Sequence, residues 1–346
     1  MFKRLGSILR GSSTPQEDQS SDSINAPEDP APRISVDEMR KSRISTILNE
    51  QFIDLESLKK LVWSGSSRED RWKAWAVCLG YLPPQSNRHA DILSKKRSEY
   101  QTIISSLDLK GTSSVLKQIR LDIPRTFMET PGLQEAVAHG IMERILFAWS
   151  SRNLASSYVQ GINDILVPIL AVLIHRHDSI DDNSHLQAIE ADAYFMLTKL
   201  LAEIQDHYIF GQPGIQTMVL KLSGIVAKAE PELAAHFQAE QLDLLHITFR
   251  WFNCLLVREL SLDLVLRIWD ACVSEGNGFS VLIVYVSAVI LKKCKSELVS
   301  LDFAGMMLMF QRAPGLAWHE TEGDTLLAEA FVLKSLFEGS AHISSS

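Results

Sequence analysis

Residues 242–256 read LDLLHITFRWFNCLL, a segment whose apolar side chains recur at intervals of three and four residues. The side chains that follow this spacing are Leu242, Leu245, Phe249, Phe252 and Leu256. Residues three and four apart lie on one face of an α-helix, whereas a half-buried strand alternates every two residues. The segment therefore predicts a helix whose apolar face is formed by these five side chains.

The same spacing recurs on both sides of this segment. One run comprises Val137, Ile141, Ile145 and Ala148, and another comprises Leu326, Ala330, Leu333 and Phe337. Alternation every two residues is almost absent, and only the β-branched stretch at residues 281–289 would also suit a buried strand. Because a lone strand has nothing to pair with, we expect a helix there as well. The chain is predicted to be all-helical.

Composition divides the chain into three parts. Residues 1–43 include a stretch rich in Ser, Pro and acidic residues, and we expect this tail to be disordered because few large apolar side chains offset the entropy of ordering. Residues 44–338 are predicted to form one helical domain with two packed subdomains, and residues 339–346 to fray. With 346 residues, of which 46% are hydrophobic, the chain can bury a sizeable core.

Charge and cysteine usage exclude several classes of partner. The 34 Lys and Arg residues against 42 Asp and Glu residues give a net charge of −8, so no basic field is available to hold nucleic acid. The four cysteines are scattered without a CxxC pair, which is typical of reduced thiols rather than a zinc site. The longest apolar runs, residues 165–174 and 279–291, are shorter than the roughly 20 residues that a transmembrane helix needs.

The sequence lacks the motifs of the common catalytic centres. It has no GxSxG elbow, no Walker loop, no GxGxxG after a strand and no HExxH. Glu190 and Asp192 are two residues apart, which on a helix directs their side chains apart and argues against an acid–base pair. The polar segment at residues 177–185 includes His177 and His185 with several aspartates, but it lacks the spacing of a metal site. We interpret it as a solvated connector and predict no metal.

One short segment departs from plain helical scaffold at residues 119–127, IRLDIPRTF. Pro124 disfavours helical geometry at Ile123 and so places Arg125 at a break in the chain, from which it can reach outward. From the residues alone, a surface arginine or one paired with Asp122 is the simpler interpretation.

A second such segment is YVQGIND, residues 158–164. Gly161 has no Cβ, which allows close approach by another backbone and leaves the Gln160 amide beside open space. From the residues alone, Gln160 is most simply a polar residue at a helix end.

Together these two segments resemble the signature motifs of the TBC domain, a family of GTPase-activating proteins for Rab GTPases. The pattern IxxDxPR is present as Ile119, Asp122, Pro124 and Arg125, and YxQGxND as Tyr158, Gln160, Gly161, Asn163 and Asp164. A third signature, Arg followed four residues later by Trp, is present as Arg71 and Trp75. The resemblance covers about residues 44–338 and is greatest for the branch that contains the human family 22 proteins and the yeast Golgi GTPase-activating protein.

The resemblance implies a dual-finger mechanism in which Arg125 and Gln160 are the catalytic residues, supplied in trans to the Rab. Arg125 would compensate charge on the γ-phosphoryl group, and Gln160 would orient the attacking water. Asp122 would hold Arg125 or its loop through a charge-assisted hydrogen bond. The remaining motif residues would shape the second loop and contact the Rab (Tyr158, Gly161, Asn163, Asp164) or serve the structure (Arg71, Trp75).

The same resemblance implies that the chain needs no cofactor of its own, because the GTP-bound Rab carries GTP and Mg²⁺. It implies a cytoplasmic protein, peripheral to Golgi or endosomal membranes and acting in vesicle traffic, with an adaptor reached through the N-terminal tail. Such a chain activates another enzyme and has no substrate chemistry of its own. Two alternatives stay open: a non-catalytic Rab-binding scaffold on the same fold, which the intact Arg125 and Gln160 argue against, and an unrelated helical hydrolase, for which no titratable site is found.

Overall fold

The computed structural model describes residues 35–126, 134–176, 183–312, 318 and 320–343. Their regular secondary structure is helical and contains no strand, and their only β-type pairing is an isolated bridge between Phe52 and Gln85. The prediction of an all-helical fold is confirmed. Most of the tail that we expect to be disordered, residues 1–34, lies outside the described residues.

Sixteen α-helices and three 3₁₀ helices make up the described part of the chain. The α-helices are α1 Val36–Asn49, α2 Leu55–Val62, α3 Arg71–Cys78, α4 His89–Ser105, α5 Ser114–Asp122, α6 Glu135–Arg152, α7 Ile162–Ile174, α8 Asn183–Glu203, α9 Pro213–Ala229, α10 Pro231–Ala239, α11 Leu244–Asn253, α12 Leu262–Ser274, α13 Gly278–Lys293, α14 Lys295–Leu298, α15 Phe303–Gln311 and α16 Glu320–Ile343. The 3₁₀ helices are Ser86–Arg88, Ile123–Arg125 and Gln205–His207.

The helices pack in two groups that meet at α12. In the first group α8 lies against α4, α6 and α7, and α5 lies against α6. In the second group α13 lies against α9, α12 and α16, and α9 also contacts α10 and α11. Helix α12 connects the groups because it also packs against α2, α3 and α7. The division of this domain into two subdomains stays a prediction.

Both ends of the helical domain extend beyond the predicted boundaries. Helix α1 begins at Val36, within the segment predicted to be tail, because Ser35 and Glu38 form a capping box. The Ser35 hydroxyl accepts a hydrogen bond from the Glu38 amide at 3.1 Å, and the Glu38 carboxylate accepts one from the Ser35 amide at 2.8 Å. Helix α16 continues to Ile343, past the predicted boundary at residue 338.

Helix α11 buries a different face from the predicted one. Phe252 is buried as expected, but Leu245 and Phe249 are 37% and 40% exposed. The buried residues of this helix are Leu244, Ile247, Thr248, Trp251, Phe252 and Asn253. Because apolar residues surround most of the helix, their spacing predicts a helix without deciding which side faces the core.

The structure also bears on the sequence predictions about residues 281–289, membrane segments and metal sites. The β-branched stretch at residues 281–289 lies within α13 and is helical, as expected. No helix in the described ranges is both long and apolar enough to cross a membrane. The same ranges contain no group of three His, Cys, Asp or Glu residues able to hold a metal ion, although His177 and its neighbours up to residue 182 lie outside them.

A buried carboxylate ties the N-terminal helices to α12. Asp270 is fully buried and accepts hydrogen bonds from Arg71 Nε and Nη2, each at 3.1 Å, and from Trp75 Nε1 at 2.6 Å. The Ser66 amide donates a further bond at 2.8 Å. The two residues of the Arg-to-Trp motif therefore share one acceptor, and the indole of Trp75 also lies 5.9 Å from that of Trp269.

We expect Asp270→Asn to destabilise the fold by about 3–5 kcal/mol, because it leaves the largely buried Arg71 guanidinium without a compensating charge. Urea-induced unfolding monitored by circular dichroism measures this loss. The matched control is Asp37→Asn, at an exposed carboxylate that pairs with Arg40 and Lys41, and it should cost less than about 1 kcal/mol. Equal, small losses in both variants would contradict the role assigned to Asp270.

Candidate functional site

Arg125 is the last residue of the 3₁₀ helix that follows α5. Contrary to the sequence prediction, Ile123 keeps helical geometry, with φ −53° and ψ −50°, and its side chain is buried. The chain leaves the helical region at Thr126, with φ −81° and ψ 118°. Pro124 lacks an N–H group, which is tolerated because it lies at the start of the 3₁₀ turn.

The Arg125 side chain is exposed. Among the residues that the structure describes, none forms an ion pair or hydrogen bond with its guanidinium. The Asp122 carboxylate, the partner predicted for Arg125, instead accepts bonds from Gln118 Nε2 at 3.1 Å and from Tyr158 Oη at 3.0 Å. Of the two roles predicted for Asp122, support of the loop is therefore the one that the contacts permit.

Gln160 lies at the end of the loop between α6 and α7, and its side chain is also exposed. Gly161 follows with φ +112°, a conformation that favours glycine. A Cβ at Gly161 would lie 2.3 Å from Asn253 Nδ2, so another element does approach this backbone closely. That atom donates a hydrogen bond to the Gln160 carbonyl at 2.7 Å.

Two hydrogen bonds join the segment that carries Arg125, residues 122–126, to the segment that carries Gln160, residues 158–163. Tyr158 Oη donates to Asp122 Oδ2, and Asn163 Nδ2 donates to Thr126 Oγ1 at 2.8 Å. Asn163 Oδ1 accepts from the Gly161 amide at 2.9 Å. Burial raises the pKa of Tyr158, with a further increase from the nearby Asp122 carboxylate, so the phenol keeps the proton it donates. The two exposed side chains thus stand on loops that hold each other in place.

Asn163 and Asp164 are buried at the start of α7, each only 3% exposed. Burial raises the pKa of Asp164, while Arg258, whose Nη1 lies 4.0 Å from Oδ2, opposes the shift. Cys254 Sγ lies 3.6 Å from the same oxygen. These contacts suit the predicted role in shaping the second loop, whereas burial leaves little of either side chain for contact with a partner.

An open groove of about 660 Å³ adjoins Gln160. Its lining includes Val159, Gln160, Phe210, Phe249, Asn253 and Arg258. Phe210 is fully exposed at the tip of the loop before α9, and Phe249 is one of the α11 side chains that the sequence predicted to be on the apolar face. Exposed aromatic side chains beside a groove are typical of a surface that binds another protein.

His207 lies beneath this loop, fully buried, and neither of its ring nitrogens has a hydrogen-bond partner in the described ranges. Burial lowers the pKa of His207 from 6.5 to about 4, with a small opposing effect of Asp206. The imidazole is therefore neutral near pH 7. The next residue, Tyr208, is also buried, and its Oη donates to the Asn253 carbonyl at 2.9 Å.

Glu190 and Asp192 do not form a catalytic pair. Glu190 accepts bonds from Tyr100 Oη at 2.8 Å and Arg144 Nη2 at 2.6 Å. Asp192 accepts bonds from Tyr81 Oη at 2.9 Å and Arg97 Nη2 at 2.7 Å. Their separate partners agree with the divergence expected from the two-residue spacing, and both carboxylates serve to hold α8 against its neighbours.

The structure adds Thr126, Tyr208 and Asn253 to the residues that the sequence singled out. Thr126 directly follows the first motif, and Asn253 ends the FRWFN stretch, but neither carries a local signal of its role. Their contacts join segments that are distant in sequence, 37 residues for Asn163 to Thr126 and 93 for Asn253 to Gln160. Only the folded chain brings these groups together.

Comparison with known proteins gives a consistent family assignment. A family model described as the Rab-GTPase-TBC domain matches residues 69–299. The chain is 38% identical to the GTPase-activating protein gyp1 of Schizosaccharomyces pombe over 88% of this chain and 63% of that protein. It is also 38% identical to human TBC1 domain family member 22B over 89% of this chain and 64% of that protein. It thus spans less than two thirds of these relatives.

Two solved structures are similar to the fold described above. The crystal structure of the Ypt/Rab-GAP domain of Gyp1p superposes with a TM-score of 0.80 at 34% identity, over 88% of this chain and all of that one (100%). The Chlamydomonas flagellar RabGAP TBC domain superposes with a TM-score of 0.60 at 24% identity, which supports the fold alone.

We expect Gly161→Ala to cost about 1–3 kcal/mol, because alanine disfavours the positive φ and its Cβ would collide with Asn253. Chemical denaturation of the purified variant measures the change. Gly224→Ala is the matched control: this glycine lies on the exposed face of α9, and nothing lies within 4 Å of an added Cβ. That substitution should stabilise the chain by about 0.5–1 kcal/mol. A neutral Gly161→Ala would show that the loop tolerates another conformation.

We expect the stability to fall as the pH decreases from about 6.5 to about 4, because in this window His207 binds a proton in the unfolded chain and not in the folded one. The contribution of this single group is at most about 1.4 kcal/mol per pH unit. Unfolding curves recorded from pH 7.5 to pH 4.5 should show a shallower decrease for His207→Phe than for the wild type. Parallel decreases in the two proteins would exclude His207 as a source of acid sensitivity.

Proposed function

The chain belongs to the Rab-GTPase-TBC domain family, and on this premise we propose that it accelerates GTP hydrolysis on a Rab GTPase, with Arg125 and Gln160 acting together on the bound nucleotide. One observation carries the proposal. Two exposed polar side chains of the types that the reaction requires stand on adjacent segments, and one buried and one partly buried hydrogen bond join those segments.

Arg125 supplies the charge that a small GTPase lacks during hydrolysis. Its guanidinium is always protonated, and its fork of donors matches the oxygens of a phosphoryl group. An arginine supplied in trans accelerates GTP hydrolysis by about 10³- to 10⁵-fold, which corresponds to about 4–7 kcal/mol of barrier. Because no described residue forms an ion pair with this guanidinium, no contact with the described part of the chain has to be broken before it reaches the phosphate.

Gln160 orients the attacking water. Its amide provides both an acceptor and a donor at neutral pH, so its oxygen can accept a hydrogen bond from the water while its NH₂ group donates one to a phosphate oxygen. A carboxylate or an ammonium group in the same place would supply only one of these functions. The bonds that hold the backbone of Gln160 reduce the entropy lost on reaching this geometry.

The bonded loops support the action of the two side chains as one unit. Asp122, Tyr158, Asn163 and Thr126 form a chain of contacts between them. Each of these groups is buried or partly buried, so water competes weakly for the hydrogen bonds. In this proposal they are positioning residues, and Arg125 and Gln160 alone contact the nucleotide and the water.

The GTP-bound Rab is the partner, and it brings GTP and Mg²⁺ to the complex. We propose that the exposed side chains of Ile209, Phe210 and Phe249, next to Gln160, form part of the surface that the Rab covers. The relatives' description as GTPase-activating proteins supports this choice of partner. We further propose a peripheral role at Golgi membranes in vesicle traffic; most of the tail through which an adaptor would bind, residues 1–34, lies outside the described ranges.

We expect the wild-type chain to accelerate single-turnover GTP hydrolysis on one or a few members of a panel of purified Rab GTPases. Arg125→Ala should lower the acceleration by about 10³- to 10⁵-fold, and Gln160→Ala by about 100-fold or more. Arg125→Lys should recover little, since lysine keeps the charge and loses the fork of donors. The measurement is phosphate release after mixing GTP-loaded Rab with each variant.

The controls are Arg88→Ala and Gln101→Ala, which remove the same side-chain types from exposed positions outside the two loops. Both should retain the wild-type rate. If GTP-loaded Rab binds while no Rab is accelerated, the chain is a Rab-binding scaffold on this fold, and both catalytic assignments fail.

A further inference from the structure

We propose that Asn253 is a positioning residue that sets the orientation of Gln160 by fixing the peptide unit between Gln160 and Gly161. This inference rests on the proposed function of Gln160. Asn253 lies at the end of α11, in the second group of helices, while Gln160 immediately precedes Gly161 and α7 in the first. The contact therefore joins the two groups at the candidate site.

The peptide unit between Gln160 and Gly161 is bonded at both of its polar atoms. Its carbonyl oxygen accepts from Asn253 Nδ2 at 2.7 Å, and its N–H group donates to Asn163 Oδ1 at 2.9 Å. A change of ψ at Gln160 that φ at Gly161 does not compensate would turn the Gln160 Cα–Cβ bond relative to α7, and it would move both polar atoms of this peptide unit away from their partners. Glycine at position 161 is intrinsically free to rotate, and these bonds restrict it together with the backbone turn in which the Ile162 amide donates to the Val159 carbonyl at 3.2 Å.

Asn253 is itself held in place by Tyr208. Its backbone carbonyl accepts from Tyr208 Oη at 2.9 Å, which ties the end of α11 to the segment after the Gln205–His207 turn. The Asn253 side chain is 6% exposed, so its amide has little freedom to turn away. The bond from Tyr208 and the burial of Asn253 thus hold the side-chain amide of Asn253 against the backbone of Gln160.

The other half of the Asn253 amide indicates that this geometry is maintained at a cost. Asn253 Oδ1 is buried and has no hydrogen-bond partner in the described part of the chain. A buried acceptor without a donor lowers stability, and an apolar side chain of similar size would remove that penalty. Among the described residues, the side chain of Asn253 therefore forms a single hydrogen bond, which Nδ2 donates to the Gln160 carbonyl.

The test uses Asn253→Asp, which keeps the shape and removes the Nδ2 donor, and Asn253→Leu, which removes both polar atoms. The matched control is Thr248→Val, which deletes a buried hydrogen bond to the Leu244 carbonyl elsewhere on α11. The first readout is GTP hydrolysis on the responsive Rab. Both Asn253 variants should lower kcat by about 10- to 100-fold and leave KM for the Rab within about twofold of wild type. Thr248→Val should change neither constant.

The second readout is amide hydrogen exchange of a peptide that spans residues 155–165, measured by mass spectrometry on the chain alone. Exchange in this peptide should be about tenfold faster in both Asn253 variants and unchanged in Thr248→Val. An unchanged kcat, or a rise in KM with unchanged kcat, would overturn the proposal, as would unchanged exchange. If the wild type accelerates no Rab, the proposed function fails, and the exchange data alone decide whether Asn253 orders the loop.

Discussion

The buried Asp270 carboxylate is the constraint on which the arrangement of the helices depends. It accepts bonds from a guanidinium, an indole and a backbone amide that belong to α3 and to the segment before it. A carboxylate without solvent is stable only when its charge and lone pairs are matched, so these groups must all be in place at once. This requirement fixes α12 against α3, and α12 is the helix that both packing groups share.

The position of the candidate site depends on this contact between α3 and α12. Helix α7 packs against both α3 and α12, and the first residues of α7 carry Asn163 and Asp164 into the interior. The loop before α7 is therefore anchored at its C-terminal end by a helix that cannot move independently. From the other side, α11 brings Asn253 against the same loop. The exposed Gln160 side chain thus stands on backbone that is bonded to both helix groups.

Three of the six buried side-chain polar atoms that have no hydrogen-bond partner in the described residues lie near this site. Asn253 Oδ1 and both ring nitrogens of His207 are buried without partners in the described residues. The two residues lie close together, because Tyr208, which follows His207, donates from Oη to the Asn253 carbonyl. Each such group costs about 1–3 kcal/mol relative to a satisfied or apolar replacement. The core elsewhere carries large apolar side chains such as Trp75, Trp269 and Phe279, which pack against one another. The unpaired atoms of Asn253 and His207 therefore lower stability beside the segment that carries Gln160.

The amino-acid sequence by itself determined the helical fold and the two segments that carry Arg125 and Gln160, because both depend on local signals. Apolar spacing predicts a helix from neighbouring residues, and Gly161 marks a point where the chain departs from one, whereas helical geometry continues through Pro124 to Arg125. The tertiary structure alone decided which face of α11 is buried, leaving Phe249 exposed beside the groove. It also decided that Asp122 meets Tyr158 and that Asn253 meets Gln160. The physical reason is that these contacts join residues far apart in the chain, and hydrogen bonds between such residues exist only after packing has brought the helices together.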